Sequence, residues 1–579
     1  FGLMYFLTIR PQKKKEEELK SKDLEERLKL IKEKYDEISK TITEKGEGHQ
    51  LELKQKAEEL KGSISRKNSS IVFADKQIQD NLKTIENTKN GIEVQQGKIK
   101  DSELKISLKQ DEIKGIEKNS KEVKEGYMFV AIKGFSVDGH KFIAGAIENG
   151  ATAVMVEEGC DLKALNIPET VTILMVPDTR KALAICSSNF YGNPSAQLKL
   201  IGVTGTKGKT TTTFMIKEIL EKAGKKVGLI GTIATYINGK RIKDSDRTTP
   251  ESLELQQTFR QMVDEGVEVC VMEVSSQSLK LHRVDGCQFD IVLFTNFSED
   301  HISEKEHPTM EDYFNSKLKL FEMCKTGIVN ADDLHAAKIP RLFPESNIVT
   351  YGIDNFANVL AKDITITNSY VDFKVKITDR NERVKTGIPG RFSVYNSLAA
   401  ICVAQKFGIS PEVIKEALAE VRVPGRSELV DNKLELTIMI DYAHSPESLQ
   451  NILQAAKSYT RGRVISVFGC GGDRDSGKRP IMGEISGKIA DYTIVTSDNP
   501  RTEDPQKIVD QIEDGIKKTK GKYEVVVDRV EAIEHAIKMA NKKDIIILAG
   551  KGHEPYQEIN GVKHPFDERI IVREIIEKM

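Results

Sequence analysis

The chain has 579 residues, with 87 Lys+Arg against 88 Asp+Glu, no Trp and seven Cys. At roughly 100–200 residues per domain, this length predicts three or four domains. The near-zero net charge gives no reason to expect a nucleic-acid-binding protein. The cysteines form no CxxC pair, so neither a disulfide framework nor a zinc ribbon is expected, and a reducing cytoplasm is the predicted location.

The chain opens with a short apolar run, Phe1–Ile9. A segment that crosses a bilayer needs about 20 apolar residues, so this run is too short to span by itself. Two interpretations stay open. The run is either the end of a longer spanning segment, with the basic Lys13–Lys15 as its cytoplasmic flank, or a short apolar lead-in.

Residues 13–112 are free of proline and hold 23 Lys+Arg and 22 Asp+Glu. Apolar residues recur there in steps of four and three, which predicts a coiled coil because a 3.5-residue period keeps the seam on one side. The break at Gly46-Glu47-Gly48 predicts two helices in an antiparallel hairpin. The predicted seam positions are Leu24, Leu28, Ile31, Tyr35, Ile38, Ile42, Leu53, Ala57, Leu60, Ile64, Lys67, Ile71, Ala74, Ile78, Asn81, Ile85, Thr88, Ile92, Gln95, Ile99, Ser102 and Ile106. We interpret this all-α region, residues 1–112, as a spacer or as a surface for self-association or a protein partner.

From Ile113 onward, short apolar runs alternate with helical stretches, which predicts an α/β fold. Leu198–Val203 reads as a strand, and Thr204-Gly-Thr-Lys-Gly-Lys-Thr-Thr-Thr-Thr213 leads from it into a helical pattern. A glycine turn between strand and helix surrounds phosphate oxygens with backbone N–H groups. Lys209 suits the terminal phosphates and the Thr210 hydroxyl suits Mg²⁺. Position 203 is Val, so the strict GxxxxGK[ST] spacing is not met.

Further polar groups follow strand-like runs. Val269–Met272 ends in Glu273-Val-Ser-Ser276, and Ile291–Phe294 ends in Thr295-Asn296, with Asp300-His301 beyond. Such groups at the carboxyl ends of strands are placed to bind a ligand. Two interpretations of Asp300-His301 stay open: a surface pair or, near the phosphate loop and Glu273, ligands of a second metal ion. Five later loops suggest a second substrate site: Pro424-Gly-Arg426, Asp441-Tyr-Ala-His444, Phe468-Gly-Cys-Gly-Gly-Asp-Arg474, Asp498-Asn-Pro-Arg501 and Gly550-Lys-Gly-His-Glu554.

Together these motifs resemble those of the Mur ligases, the ATP-dependent amide-forming enzymes of peptidoglycan synthesis. The resemblance covers about residues 113–579 and rests on TGTKGKTTTT, MEVSSQSL, TNFSEDH, YFNSKLKLF, DYAHSP, FGCGGDRDSGKRP, DNPRTEDP and AGKGHEPYQ. It implies three α/β domains behind the coiled-coil hairpin. These are a UDP-substrate-binding domain at 113–199, a central P-loop ATPase domain at 200–424 and a C-terminal Rossmann-like, amino-acid-binding domain at 425–579.

The resemblance also implies residue roles. ATP phosphates would bind Gly205, Thr206, Lys207, Gly208, Lys209, Thr210 and Thr211, where Lys207 replaces the Asn of many relatives. Asn296 would approach the adenine, and Arg426 and Asp441 would contact the nucleotide. Mg²⁺ would bind Thr210, Glu273, His301 and Lys317, the last as a carbamate, whose negative charge suits a cation. Lys209, Lys317, Glu273 and His301 form the implied catalytic set.

The implied reaction joins meso-2,6-diaminopimelate to UDP-N-acetylmuramoyl-L-alanyl-D-glutamate through an acyl phosphate. The UDP-substrate would contact Ser120, Thr248, Thr249, Ser275 and Arg283. Diaminopimelate would contact Arg474, Asp498, Asn499, Pro500, Arg501, Gly550 and Glu554. A guanidinium at Arg501 can grip the second carboxylate of diaminopimelate, which lysine lacks.

Two departures from the family pattern stand out. The coiled coil replaces the 25–30 residues of strand and helix that usually precede the segment matching Ile113–Ser120, so the first domain is expected to be truncated. At the same place, Asn119-Ser120-Lys121 replaces the usual Asp-Ser-Arg. The second departure is Ile302-Ser-Glu-Lys-Glu-His307, where many relatives have a Leu-Asp-Tyr/Phe-His run. The alternatives are a lysine-adding or other ligase of the superfamily, a coiled-coil scaffold whose ligase half is inactive, and, for Arg501, a surface ion pair with Glu503 or Asp504.

Overall fold

The computed structural model describes residues 10–44, 47–110, 113–134, 137–161, 163, 165, 167–300, 302–303 and 306–579. The chain divides into two compact units, Phe1–Glu112 and Ile113–Met579. The apolar run Phe1–Ile9 lies outside the described residues. Within the described part of the chain, no helix is both long enough and apolar enough to cross a membrane.

The first unit is a helical hairpin, as predicted, formed by α1 (Arg10–Glu44) and α2 (Glu47–Gln110). The predicted seam residues Leu24 and Leu28 are half-buried, and Ala57 is buried, because the two helices pack along this stripe. Of the later predicted positions, Ile85 is half-buried, but Asn81 and Thr88 are exposed, so the prediction is wrong at these two. Leu82, outside the predicted set, is half-buried beside Asn81. The helix turns its apolar side chains toward the seam and leaves amide and hydroxyl groups in water. The side chains at the predicted seam positions Ile42, Ile92, Gln95, Ile99, Ser102 and Ile106 lie outside the described part.

The second unit begins with a small parallel sheet in the order β1-β2-β3-β4. Helices α3 and α4 accompany this sheet. Its side chains form two small apolar clusters, one of which includes Phe129 and Val154 and the other Val130 and Leu183. The bounds are β1 Gly115–Glu117, β2 Tyr127–Val130, α3 Ile143–Glu148, β3 Ala151–Glu157, β4 Thr172–Val176 and α4 Thr179–Phe190.

The middle of the unit holds an eleven-stranded sheet in the order β15-β14-β13-β12-β11-β10-β5-β9-β6-β7-β8. The strands from β12 through β6 run parallel, which places the carboxyl ends of β10, β5 and β9 side by side. The strands are β5 Lys199–Thr204, β6 Val227–Ile230, β7 Ala234–Ile237, β8 Lys240–Asp244, β9 Val269–Glu273, β10 Phe289–Phe294, β11 Cys324–Asn330, β12 Asn347–Gly352, β13 Val359–Ile366, β14 Val371–Ile377 and β15 Arg380–Thr386. The helices are α5 Lys209–Lys222, α6 Ser252–Asp264, α7 Ser276–Lys280, α8 Met310–Leu318, α9 Ile339–Leu342, α10 Arg391–Lys406 and α11 Pro411–Glu420.

The last part of the unit is a six-stranded sheet in the order β16-β17-β21-β18-β19-β20, followed by a hairpin of β22 and β23. All pairs in this sheet are parallel except the one between β16 and β17. The strands are β16 Glu428–Leu429, β17 Thr437–Asp441, β18 Val464–Phe468, β19 Tyr492–Val495, β20 Tyr523–Val525, β21 Ile545–Ala549, β22 Tyr556–Ile559 and β23 Val562–Pro565. The helices are α12 Pro446–Tyr459, α13 Lys478–Ile489, α14 Pro505–Ile516, α15 Arg529–Met539 and α16 Glu568–Lys578.

Each of the two larger sheets is covered on both faces by apolar side chains. In the central sheet, Val203 and Leu293 face one cluster and Leu200 and Val292 face the other. In the last sheet the two clusters include Phe468 and Val467 respectively. Parallel strands buried on both faces leave only their ends for ligands, and in open α/β sheets ligands bind at the carboxyl ends. Apart from Lys199, the first residue of β5, the three sheets fall within the predicted segments 113–199, 200–424 and 425–579, whose exact boundaries stay a prediction.

Candidate active site

The glycine-rich loop lies between β5 and α5, as the sequence predicts. Gly205 and Gly208 have φ of 137° and 85°, in the left-handed region that favours glycine. A Cβ at Gly205 would lie 2.0 Å from Thr295 Oγ1, and one at Gly208 would lie 2.7 Å from Asn396 Oδ1. Gly208 is the N-cap of α5, so the loop presents the amino end of a 14-residue helix. This is an anion-binding geometry.

Two lysines converge on this loop. Lys209 Nζ donates to the carbonyl oxygens of Gly205 at 2.9 Å and Thr206 at 3.0 Å. Lys317 Nζ donates to the same Gly205 oxygen at 3.0 Å and lies 4.4 Å from the centre of the Tyr313 ring. The sequence separates these lysines by more than 100 residues, and the fold joins them at one carbonyl.

Burial lowers the pKa of the Lys209 ammonium to about 8; the carboxylate of Glu273 opposes this shift, and the charges of Lys207 and Arg426 add to it. Burial also lowers the pKa of Lys317 well below its ordinary value, and the charge of Lys209 lowers it further. Lys317 is 1% exposed. Burial and the neighbouring ammonium therefore both favour the neutral amine of Lys317, which is the form that reacts with carbon dioxide to give a carbamate.

Glu273 lies at the carboxyl end of β9, next to the loop, and is 1% exposed. Its carboxylate accepts hydrogen bonds from Thr210 Oγ1 at 3.0 Å, Thr232 N at 2.8 Å and Thr232 Oγ1 at 3.1 Å. A Cβ at Gly231 would lie 2.3 Å from Glu273 Oε1, so only glycine leaves room for this carboxylate.

The fit of Mg²⁺ to this pair follows from its donor chemistry. Mg²⁺ prefers hard oxygen ligands and keeps several waters, and Thr210 and Glu273 supply a hydroxyl and a buried carboxylate side by side. The predicted ligand His301 lies outside the described residues. Within the described part of the chain, no group of three or more His, Cys, Asp or Glu is arranged to hold a metal.

Asn296 follows β10 and is tied to the loop. Its Oδ1 accepts from Lys207 N at 2.8 Å, and its Nδ2 donates to Lys207 O at 3.1 Å. Thr206 and Thr211 are buried beside the loop. The side-chain amide therefore holds the loop in shape, and the predicted adenine contact of Asn296 stays a prediction.

Four of the five residues predicted to hold the UDP-substrate form one connected set. Thr249 Oγ1 donates to Glu273 O at 3.0 Å and accepts from Ser275 N at 3.1 Å, and Arg283 Nη1 donates to Thr249 O at 3.2 Å. Thr248 Oγ1 is 3.1 Å from Thr232 Oγ1. Among the described residues, no hydrogen bond links Ser120 to this set.

A small polar cavity of about 140 Å³ lies beside this cluster. It is lined by Lys118 from the first sheet region and by residues such as Arg247, Pro250 and Glu251 from the segment that carries the two threonines. Burial lowers the pKa of Lys118, with Glu251 opposing the shift.

Arg426 and Asp441 bring the third sheet region toward the nucleotide loop. The Arg426 guanidinium lies 5.0 Å from the centre of the Tyr442 ring, and its buried Nε atom has no hydrogen-bond partner among the described residues. Asp441 ends β17 and accepts from Ser427 N at 2.7 Å. Burial raises the pKa of Asp441, while Arg426 counteracts this shift.

Arg501 is held at the carboxyl edge of the third sheet. Its φ of 53° is left-handed, its Nε donates to Glu558 Oε2 at 3.1 Å and its Nη1 donates to Gly472 O at 2.7 Å. The alternative ion pair with Glu503 or Asp504 is wrong. Glu503 pairs with Arg479 at 2.9 Å, and Asp504 caps α14.

The glycine turn at 471–472 leaves room for these groups. A Cβ at Gly471 would lie 3.0 Å from Arg501 Nη1 and 3.8 Å from Cγ of Arg474, which is exposed. A Cβ at Gly472 would lie 1.9 Å from Pro500 O. Two guanidinium-bearing residues therefore approach one glycine turn.

The remaining predicted residues surround a buried lysine. Lys551, 0% exposed, donates from Nζ to Asn499 Oδ1 at 2.9 Å and to Glu554 Oε2 at 3.4 Å. Asn499 Nδ2 donates to Glu554 Oε2 at 2.8 Å. Burial raises the pKa of Glu554, against the opposing charge of Lys551. Gly550, with φ of 114°, passes so close to Asp498 that a Cβ would lie 2.4 Å from its Oδ2.

Sequence reasoning missed several residues that build these sites. They are Thr232, Asn396, Glu447, Lys551 and Glu558. Lys551 lies inside the Gly550–Glu554 motif, so that motif could have indicated that Lys551 belongs to the site. The other four stand in ordinary helical or strand-like contexts, and only the fold shows what they contact.

Fold and site together define an α/β ligase, with a glycine-rich loop at the carboxyl edge of one sheet and a cluster of paired charged side chains at that of another. Three family patterns match the same regions. They are described as "Mur ligase family, catalytic domain" at residues 112–191, "Mur ligase middle domain" at 203–404 and "Mur ligase, glutamate ligase domain" at 425–552. The chain belongs to the Mur ligase family and is a ligase.

Similar proteins point in the same direction. The chain is 50% identical over 466 residues to a UDP-N-acetylmuramoyl-L-alanyl-D-glutamate--2,6-diaminopimelate ligase of Caldanaerobacter subterraneus subsp. tengcongensis, which covers 80% of this chain and 95% of the relative. It is 47% identical over 477 residues to the ligase of the same name from Clostridium botulinum, with 82% and 97% covered. A solved structure with that name aligns with a TM-score of 0.61 and 31% identity, over 80% of this chain and 95% of the solved one.

Proposed function

We propose that this chain forms an amide bond between meso-2,6-diaminopimelate and UDP-N-acetylmuramoyl-L-alanyl-D-glutamate, with ATP as the energy source, in peptidoglycan synthesis in the cytoplasm. The observation that carries the proposal is the setting of Arg501. Its guanidinium is fixed by Glu558 and by the Gly472 carbonyl, in a pocket that also contains Asn499 and Glu554. A planar guanidinium held at the edge of an amino-acid pocket suits a second carboxylate.

The amino-acid pocket fits a ligand with charges of both signs. Arg501 and Lys551 supply cations and Glu554 supplies an anion. Diaminopimelate carries two carboxylates and two ammonium groups. These can replace the partners within the ion pairs Arg501–Glu558 and Lys551–Glu554. Lysine lacks one of these carboxylates. It therefore offers the guanidinium of Arg501 no anionic group, and this lowers its binding free energy relative to diaminopimelate.

The nucleotide loop supplies the chemistry of activation. Lys209 and the amino end of α5 stabilise negative charge on the phosphoryl group as it moves to the substrate's terminal carboxylate. The product of that step is an acyl phosphate. The amine of diaminopimelate then attacks the carbonyl carbon, the carbon–oxygen bond to phosphate breaks, and the amine loses a proton.

We assign the Mg²⁺ ligands to Thr210, Glu273 and His301, together with Lys317 as a carbamate. These residues would hold Mg²⁺, which would supply positive charge beside the phosphate oxygens. Thr232 holds the Glu273 carboxylate in place through two hydrogen bonds. As an unmodified amine, Lys317 donates to Gly205 O. As a carbamate it would keep one N–H for that carbonyl and gain oxygens that can bind a cation.

The substrate end of the site is assigned to Thr248, Thr249, Ser275 and Arg283, with Ser120 from the first sheet region. The hydrogen bond from Thr249 to Glu273 O ties this set directly to the proposed metal ligand. This link supports the proposal that the carboxylate to be activated binds near the transferring phosphate. The helical hairpin, separately, is assigned to self-association or partner binding, because apolar side chains such as Val72 and Phe73 are exposed on it.

Phosphate release from ATP tests the proposal and separates its alternatives. We expect release only when both the UDP-dipeptide and diaminopimelate are present. Release with lysine in place of diaminopimelate would identify a lysine-adding ligase. If no amino acid supports release while ATP still binds, the ligase half is inactive.

A further inference from the structure

Lys207 lies in the nucleotide loop, and its ammonium contacts carboxylates, whereas those of Lys209 and Lys317 donate to backbone carbonyls. Its Nζ is 2.9 Å from Asp300 Oδ2 and 3.7 Å from Glu447 Oε2. Asp300 belongs to the central region, after β10, whereas Glu447 lies on α12 in the third sheet region. The ammonium of Lys207 therefore contacts one carboxylate of the central region and one of the third sheet region.

The Glu447 carboxylate makes a second contact across the same boundary. Its Oε1 accepts a hydrogen bond from Ser298 Oγ at 3.0 Å, while its Oε2 faces Lys207. Both carboxylate oxygens are thus engaged by central-region groups. The side chains of Lys207, Asp300 and Glu447 are each no more than 38% exposed.

Glu447 is held rigidly where it stands. It lies in the first turn of α12, after Pro446, and the helix begins with a capping box in which Ser445 and Ser448 exchange hydrogen bonds. A carboxylate at the amino end of a helix is stabilised by the helix dipole. The position of the Glu447 carboxylate relative to Lys207 therefore depends on where α12 begins.

We infer that Lys207 is a positioning residue that, through Glu447, holds the third sheet region against the nucleotide loop. The inference rests on the proposed function, because closure of these regions brings the amino-acid pocket to the activated carboxylate. Other contacts cross the same boundary, such as the hydrogen bond from Asn368 Nδ2 to Thr437 Oγ1 at 2.8 Å. The Lys207–Glu447 contact differs because it ends on the phosphate-binding loop itself.

Kinetic measurements on Glu447→Gln provide the first test. This change removes the charge and keeps the shape, so we expect the KM for diaminopimelate to rise by up to about fivefold, the range of a partly exposed ion pair. The Kd for ATP alone should change less than about twofold, because Asp300 still holds Lys207. The KM effect should shrink at high salt, since screening weakens the wild-type contact.

Controls separate this contact from charge removal in general. Glu420→Gln removes an ion pair with Lys222 that lies wholly inside the central region, and it should leave the KM unchanged. The double variant Lys207→Asn/Glu447→Gln should be no worse in KM for diaminopimelate than Lys207→Asn alone, because both changes break one contact. If the double variant raised the KM for diaminopimelate by the product of the two single effects, the inference would be overturned.

Hydrogen exchange of the full chain, without substrates, tests the contact independently of catalysis. Glu447→Ala removes both links, so residues 204–210 and 445–449 should exchange faster than in the wild type and in Glu420→Gln. Unchanged exchange in both segments would overturn the inference even in an active enzyme. Faster exchange in a chain that releases no phosphate would support the contact and refute the proposed function instead.

Discussion

The nucleotide loop and the amino-acid pocket balance charge in opposite ways. Lys209 and Lys317 donate to backbone carbonyls, and burial lowers the pKa of both. In the pocket, Arg501 and Lys551 each lie beside a glutamate, Glu558 and Glu554 respectively. Among the described residues, neither Lys209 nor Lys317 forms an ion pair, whereas both cations of the pocket do. The first arrangement suits a polyanion, and the second suits a zwitterion that exchanges one set of pairs for another.

The largest effect is expected at the loop. Lys317→Ala removes the group assigned to the carbamate, so turnover should fall by about 10²–10³-fold, the range for losing one electrostatic contact to a transition state. Added short-chain carboxylates should restore part of the rate. Phosphate release under saturating substrates measures both effects.

The matched control is Lys319→Ala, an exposed lysine two residues further along. Its rate should equal that of the wild type. An unaffected Lys317→Ala enzyme would contradict the carbamate role.

At the pocket, Arg501→Ala should lower kcat/KM for diaminopimelate by about 10²-fold, because a buried charged contact is lost and Glu558 is left unpaired. The KM for ATP should stay within about twofold, since the loop is a separate site. Steady-state kinetics with each substrate varied in turn will show this split. Arg461→Ala, an exposed arginine of the same region, serves as the control. Equal losses for ATP and diaminopimelate would make Arg501 structural.

The contrast in charge balance also predicts a pH dependence. The pKa of Lys209 is lowered to about 8, so its ammonium is present below pH 8 and is lost as the pH rises through that value. Nucleotide affinity should therefore weaken above pH 8, by at most about tenfold per pH unit. Calorimetric Kd values between pH 7 and 9.5 measure this change. Lys209→Arg keeps its charge over that range and should show a flatter profile; identical profiles would refute the assignment.

The smallest effect concerns backbone shape in the pocket. Gly550→Ala places a Cβ in a left-handed residue and against Asp498, at a cost of about 1–3 kcal/mol. We expect a lower melting temperature and a higher KM for diaminopimelate, with ATP binding preserved. Gly561→Ala also has a positive φ but meets no atom within 4 Å, so it separates backbone strain from the steric contact. Equal effects of both changes would show that contact with Asp498 is unimportant.

Much of the fold and of the loop could be predicted because their signals are local. The strand before Thr204 and the helix through Phe214 and Leu220 follow from apolar runs and periodicity, and the glycines need left-handed φ. The coiled-coil register failed at Asn81, since a strict heptad count ignores the apolar Leu82 next to it. The alternative ion pair of Arg501 with Glu503 or Asp504 was also wrong. Arg501 contacts Glu558, which is distant in the chain, and a short-range pattern cannot show such a contact.

By itself, the sequence determined the helical hairpin, the α/β character of the rest, and the presence of a phosphate-binding loop. These depend on contiguous residues whose backbone and side-chain preferences act within a few positions. Only the tertiary structure decided which distant groups meet: Lys317 with the Gly205 carbonyl, Arg501 with Glu558, and Lys207 with Glu447. Such pairs depend on the order of strands in a sheet and on which loops share its carboxyl edge, and short-range patterns carry no information about either.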